Sequence, residues 1–408
     1  MSELRGEVLS RIDDEETVAL AKDLIRIPSF TTEETPCAEW LAAYLRGQGL
    51  EVTLQEIEPG RKQTIARLRG SGGGTSIMLN GHIDIDPLAG GWTRDPFDPW
   101  IADGKLYGHG IYNMKAGVTA CIMAGLALKR VGARLRGDVV IACVAAELNS
   151  GIGTLYALAH GQRTDVAVVA EPYGARTILT KHTGTMDVVI HTIGRATHIS
   201  KKEQGVDAIG LMTRAIEAIN RMAFTHVYDP DLPGLPRLNV GSIIGGRGRD
   251  HNLRGAYTVS DFCTAYVNVR FNASQTGETV LADIRRVLDG LAAADPRFQY
   301  EIEFPPLPAR GLGRLAKAAV DVPKTEPIVQ MVRRNLRQMT GAEPEHFGVR
   351  LPQSYAGNDT THLWAAGIPC CLYGPGGGYT DYHDVHVELA DLHLCTRVLA
   401  LTALEAAL

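Results

Sequence analysis

His82 and Asp84 stand one residue apart in the stretch S-I-M-L-N-G-H-I-D-I-D, residues 76–86. An imidazole is a common metal ligand, and a carboxylate two residues on can hold its second ring nitrogen and fix the tautomer. The apolar run at 77–79 reads as a buried strand, and Asn80-Gly81 reads as the turn that ends it. Ligands of open α/β sheets gather just past the carboxyl ends of strands, where this reading puts His82. Taken alone, the pair reads more readily as two polar residues of a surface loop.

Five further stretches carry reactive groups. Residues 106–117 read L-Y-G-H-G-I-Y-N-M-K-A-G and contain His109 and Asn113. Residues 145–154, A-A-E-L-N-S-G-I-G-T, contain Glu147. Residues 170–173, A-E-P-Y, contain Glu171. Residues 194–200, G-R-A-T-H-I-S, contain His198. The last, Y-G-P-G-G-G-Y-T-D-Y-H-D-V-H at 373–386, offers Asp381, His383 and His386. A glutamate at a buried strand end is costly to leave unpaired, so Glu147 calls for a role or a partner.

The elements that must position these groups alternate between strand and helix. Residues 16–27 place Val18, Ala21, Leu24 and Ile25 on one helical face, and Pro28 stops that helix. Thr31 or Thr32 is positioned to cap the next helix. Strands are expected at 52–55, 64–68, 77–79, 139–145 and 166–170, with a helix from about Lys115. This pattern predicts an α/β fold, a mixed sheet sandwiched by helices, over residues 1–178 and 308–408. Between them, 179–307 reads as an inserted α+β domain. Its strands are expected at 186–193, 259–271 and 299–304, its helices at 207–221 and 278–291, and a polar Gly-rich stretch at 230–255. Helices at 327–339 and from about Ala390, and a strand at 369–372, complete the outer domain.

The chain has 408 residues, a formal net charge of −5 and a pI near 6.2. That balance excludes the basic surface of a nucleic-acid binder, and no anionic membrane partner is expected. No run is read as spanning a bilayer. The start of the sequence has no apolar signal core, and the seven scattered cysteines lack a C-x-x-C pair. Both features lead to the expectation of a cytoplasmic protein with free thiols.

Taken together and in order, the stretches resemble the di-zinc family of aminoacylases, glutamate carboxypeptidases, acetylornithine deacetylases and succinyl-diaminopimelate desuccinylases, a family of peptidases and deacylases. The opening L-I-R-I-P-S-F and the inserted G-R-A-T-H match as well. The resemblance implies a zinc-exopeptidase-like domain interrupted by a dimerisation (lid) domain, hence a homodimer. It also implies hydrolysis of an amide in a small substrate bearing a carboxylate. By the same resemblance, His82 and Glu171 are metal ligands, with His383 the expected last ligand and Asp381 or His386 the alternatives. Asp84 orients His82, Glu147 is the general base, His198 reaches the other subunit's site, and Arg270 grips the substrate carboxylate. Asn358, in a loop similar to one near the family's substrate, is a further substrate-binding candidate.

Two departures matter. The family's metal-bridging aspartate is Asn113 here, which leaves that residue as a weak ligand or a substrate contact. The second of two consecutive glutamates is Leu148, which has no lone pair to give. Zinc prefers N, S or carboxylate O donors, so at most one divalent metal is expected, and the di-zinc centre is not. With that centre impaired, two other functions are alternatives. One is non-hydrolytic acyl transfer, amide-bond formation or elimination, and the other is binding without catalysis.

Overall fold

The computed structural model describes residues 2–253, 255–307, 313–380 and 383–408. Two compact units emerge, one of residues Met1–Lys181, Val320–Ser354 and Asn358–Leu408, the other of His182–Ala319 and Tyr355–Gly357. The second unit runs to Ala319, beyond the boundary at 307 read from the sequence.

The first unit is built on an eight-stranded mixed sheet. Its order is Glu51–Glu58, Arg61–Leu68, Val139–Val144, Ile77–His82, Val166–Val169, Cys370–Leu372, Thr177–Leu179, His346–Gly348. The four strands from Val139–Val144 to Cys370–Leu372 are parallel, and the first two join antiparallel. Ile77–His82 and Val139–Val144 are buried along their whole length. That is why they read as continuous apolar runs and not as alternating ones.

Asn80-Gly81 is not a turn. The strand continues to His82, with Asn80 opposite Ala142, Gly81 opposite Cys143 and His82 opposite Val144. Packing explains the glycine: a Cβ at residue 81 would meet Val118 Cγ2 at 2.9 Å and Met114 Cε at 3.1 Å. The asparagine is buried and donates through Nδ2 to Thr154 Oγ1 at 3.1 Å. The helix Ala116–Val131, preceded by an irregular turn at Ile111–Lys115, approaches the sheet as closely. A Cβ on its Gly125 would meet Ile141 Cδ1 at 2.4 Å. By length and composition, Ile111–Val131 could cross a membrane, which corrects the sequence reading, but it is a largely buried core helix.

Neither Thr31 nor Thr32 caps a helix. That helix is Thr35–Gly47, preceded by Glu34 and with proline in its first turn. Glu34 accepts from Thr32 N at 3.0 Å and pairs with Arg61 at 2.6 Å, so the chain first makes a tight bend with Thr32 at φ +85°. A separate four-stranded sheet, Gly377–Thr380, His383–Glu388, Lys105–Tyr107 and Trp100–Ala102, was not foreseen; its strands are too short to show a period.

The second unit is a four-stranded antiparallel sheet, ordered Arg237–Gly246, Phe262–Phe271, Gly184–Ile193, Gln299–Glu303. Helices Ala208–Asn220 and Gly277–Ala294 share its core through Met212, Ala215 and Ile284 against Val188, Ile190 and Val267. Arg237–Gly246, expected as part of a Gly-rich loop, is the outer strand. It carries a bulge between Val240 and Ser242. Its Gly245 is a close-approach position, where a Cβ would meet Ile209 Cγ1 at 2.5 Å.

Candidate active site

Three neighbouring parallel strands deliver the central residues. His82 ends Ile77–His82, Glu147 follows Val139–Val144, and Glu171 follows Val166–Val169. All three are buried, and their donor atoms lie within 4.8 Å of one another. His82 Nε2 is 4.0 Å from Glu147 Oε2 and 4.0 Å from Glu171 Oε1.

Asp84 meets His82 through its backbone as well as its carboxylate. The ring nitrogen Nδ1 of His82 donates to the Asp84 backbone carbonyl at 2.8 Å, while the carboxylate is 3.5 Å away. The carboxylate also accepts the backbone N–H of Glu147 at 3.1 Å and of Leu148 at 3.0 Å. Asp84 therefore ties the end of the central strand to the turn that carries Glu147. Burial pushes its carboxyl pKa up, but His82 and the two N–H groups outweigh that and hold it below the usual range.

The other ring nitrogen, Nε2, lies 3.0 Å from Asn113 Oδ1, a group that can only accept. Burial disfavours the imidazolium of His82. The bond to Asp84 and the charges of Asp84, Glu171 and Glu147 overcome this and raise its pKa well above the ordinary value. The ring thus faces three buried carboxylates, those of Asp84, Glu147 and Glu171. The surroundings thus favour a cation at this point, either a proton on His82 or a metal ion in its place.

One imidazole and two carboxylates are a donor set that zinc accepts. Glu147, expected only as a base, belongs to this group by position, whereas Asn113 is engaged with His82. Among the described residues this is the one such group, and beside it Leu148 offers no donor and Asn113 only a neutral amide. His383 does not join the group among the described residues. It begins the strand His383–Glu388, and its ring lies over Gly91, 3.2 Å from where a Cβ would stand. His386 is paired with Tyr107 on the same small sheet. Asp381 lies outside the described residues.

Asn358 is almost wholly buried, and its Oδ1 accepts from Thr360 N at 3.0 Å and Thr360 Oγ1 at 2.7 Å. Its Nδ2 is buried without a hydrogen-bond partner among the described residues. His109 donates through Nε2 to the Asp86 carbonyl at 2.9 Å and packs among Phe30, Trp92 and Phe97.

His198 and Arg270 belong to the second unit. His198 is exposed, and its Nδ1 accepts from Ser200 N at 3.2 Å, which leaves Nε2 as the protonated nitrogen. Arg270 is the last residue but one of the strand Phe262–Phe271, with Nε donating to Asn268 Oδ1 at 2.9 Å.

A sequence profile described as Peptidase family M20/M25/M40 matches residues 78–405. The chain is 25% identical to an N-formyl-4-amino-5-aminomethyl-2-methylpyrimidine deformylase of Halalkalibacterium halodurans, over 96% of this chain and 95% of that one. It is 27% identical to a succinyl-diaminopimelate desuccinylase of Gluconacetobacter diazotrophicus, over 94% and 95%. Among solved structures, a dinuclear metal-binding M20 peptidase of Bacillus subtilis superposes with a TM-score of 0.68. Its sequence identity is 16%, and 97% of this chain and 98% of that one are covered.

Proposed function

This chain belongs to peptidase family M20/M25/M40, and from that premise we propose that it is a hydrolase cleaving the amide bond of an N-acyl amino acid or a small peptide-like metabolite. The desuccinylase and deformylase relatives support an N-acyl substrate class. The observation that carries the reading is the buried group of His82, Glu147 and Glu171 at the ends of three adjacent parallel strands. The family is metal-dependent, and in this chain the donors suffice for one divalent ion, held by His82 and Glu171 with Glu147 beside them. Such an ion supplies Lewis-acid polarisation of the scissile carbonyl and of the attacking water.

The rest falls to the chain's own groups. Glu147 takes the proton from the water and returns it to the leaving amine. Asp84 holds the backbone of Glu147 and Leu148 through the two N–H bonds described above, so the base keeps its aim. In a homodimer, the Nε2–H of His198 from the partner subunit would donate to the developing oxyanion, and Arg270 would pair with a substrate carboxylate.

The test is Glu147→Gln, which keeps an oxygen donor but cannot carry the proton. Against a panel of N-formyl, N-acetyl and N-succinyl amino acids, kcat should fall by about 10²–10⁴-fold. A variant that turns over as the native enzyme does would remove Glu147 from the mechanism.

A further inference from the structure

A cavity of about 330 Å³ opens in the first unit beside the buried cluster. Its wall includes Tyr173, two residues after Glu171, and Tyr112, the neighbour of Asn113.

Each carboxylate in the wall of this cavity already has a partner. Glu345 is 3.7 Å from Arg176, and Glu388 is 3.5 Å from Lys105. Asp391 accepts the backbone N–H groups of Ala175 and Gly376, each at 2.9 Å. Arg350 is left. It is half-buried, and its side-chain bonds among the described residues all come from Nη1, to the Tyr173 carbonyl and to Thr177 Oγ1 at 3.4 Å. Its Nε and Nη2 have no partner among the described residues, and no carboxylate pairs with it. On the same wall, Gln353 Oε1 is buried with no hydrogen-bond donor. A guanidinium with two free N–H edges and a dry acceptor beside it form an incomplete polar site, and buried polar groups normally find partners.

We propose that this cavity is a specificity subsite in which Arg350 receives a carboxylate of the substrate through its free N–H edge. The guanidinium fork matches a carboxylate in two parallel bonds, and it would select acids over neutral amides. This inference rests on the amide-hydrolase reading and deepens it. Neither Arg350 nor Gln353 lies in a stretch that drew attention in the sequence, because only the folded chain brings residues 350 and 353 to the segment after Glu171.

The experiment compares N-succinyl-L-glutamate, which carries carboxylates on both sides of its amide, with its neutral triamide. Binding is measured by calorimetry and turnover in parallel, for the native protein, Arg350→Met and Arg350→Lys. Arg350→Lys keeps a donor for the Tyr173 carbonyl and guards against a merely unfolded variant; melting curves confirm the fold. The native protein should bind the acid about 10–100-fold more tightly than the triamide. Arg350→Met should cut that ratio by about tenfold, the rest of the preference falling to Arg270, and Arg350→Lys should fall between. An acid-to-amide ratio equal in all three proteins overturns the subsite, as does native protein that binds neither compound. If binding discriminates through Arg350 but nothing is hydrolysed, the hydrolase reading fails and the subsite stands. If hydrolysis proceeds with a ratio indifferent to Arg350, the reverse holds.

Discussion

Replacing Asp84 by asparagine tests how the site is held together. The carboxylate is fully buried and accepts two backbone N–H groups, from Glu147 at 3.1 Å and Leu148 at 3.0 Å, while facing His82 Nδ1 at 3.5 Å. An asparagine side chain has one oxygen, so its NH₂ must point at one of those two donors. Each bond to a charged acceptor contributes about 1.5–3 kcal/mol. Removing one partner of a buried ion pair costs about 3–5 kcal/mol. The two terms describe the same contacts and do not add, so about 3–5 kcal/mol is the expected loss. That corresponds to a drop of roughly 5–10 °C in the melting temperature of the unit that carries it. The imidazole also loses the neighbouring charge that favours its alignment, and metal affinity should fall by about 10–100-fold. Thermal melts by circular dichroism and zinc titration of the apo-protein measure the two effects. A variant that melts with the native protein and binds zinc equally well would refute the view that Asp84 ties His82 to Glu147.

The remaining predictions concern packing and charge elsewhere in the fold. Gly81→Ala puts a methyl group 2.9 Å from Val118 Cγ2, and the overpacking should cost about 1–3 kcal/mol; an unchanged urea midpoint would count against the close strand–helix contact. Lys115 is wholly buried, donating to the carbonyls of Leu24 at 2.9 Å and Ile27 at 2.7 Å. Lys115→Met leaves both unmet, at about 1–3 kcal/mol each, and should lower the melting temperature clearly. Asp283 accepts from Thr225 N at 2.7 Å and Arg286 Nη2 at 2.7 Å. Burial raises its carboxyl pKa, but the bonds to Arg286 and Thr225 prevail, so it is lowered in the fold. A depressed carboxylate pKa adds stability above the unfolded value near 3.9 and loses it as pH falls through the folded one. Melts of the native protein and Asp283→Asn should therefore differ most above about pH 5 and converge in acid; a constant gap down to pH 2 would contradict this.

Much of the site was legible because its members lie in short local stretches, each tied to one strand end. His82, Glu147 and Glu171 each follow an apolar run that is visible without the fold. What the sequence hid was set by tertiary contact. Asn80-Gly81 has the composition of a turn but continues a strand, because Val118 and Met114 press against the glycine. The outer strand Arg237–Gly246 is glycine-rich and half exposed, so no period revealed it. Asp84 was read only as the partner of His82; its carboxylate also accepts the backbone N–H groups of Glu147 and Leu148, which only the folded chain brings to it. Glu147 was read as a base alone; only the parallel order of the three strands shows it among the ligand atoms. Arg350 and Gln353 carry no motif at all.

Metal content tests the account most directly. Leu148 and Asn113 stand where two anionic donors would be needed for a second ion, and the described residues form a single ligand group. Protein saturated with zinc, freed of excess and assayed by elemental analysis, with anomalous diffraction from the same preparation, should show no more than one ion per chain, at His82 and Glu171. Two fully occupied zinc positions in each chain would contradict it.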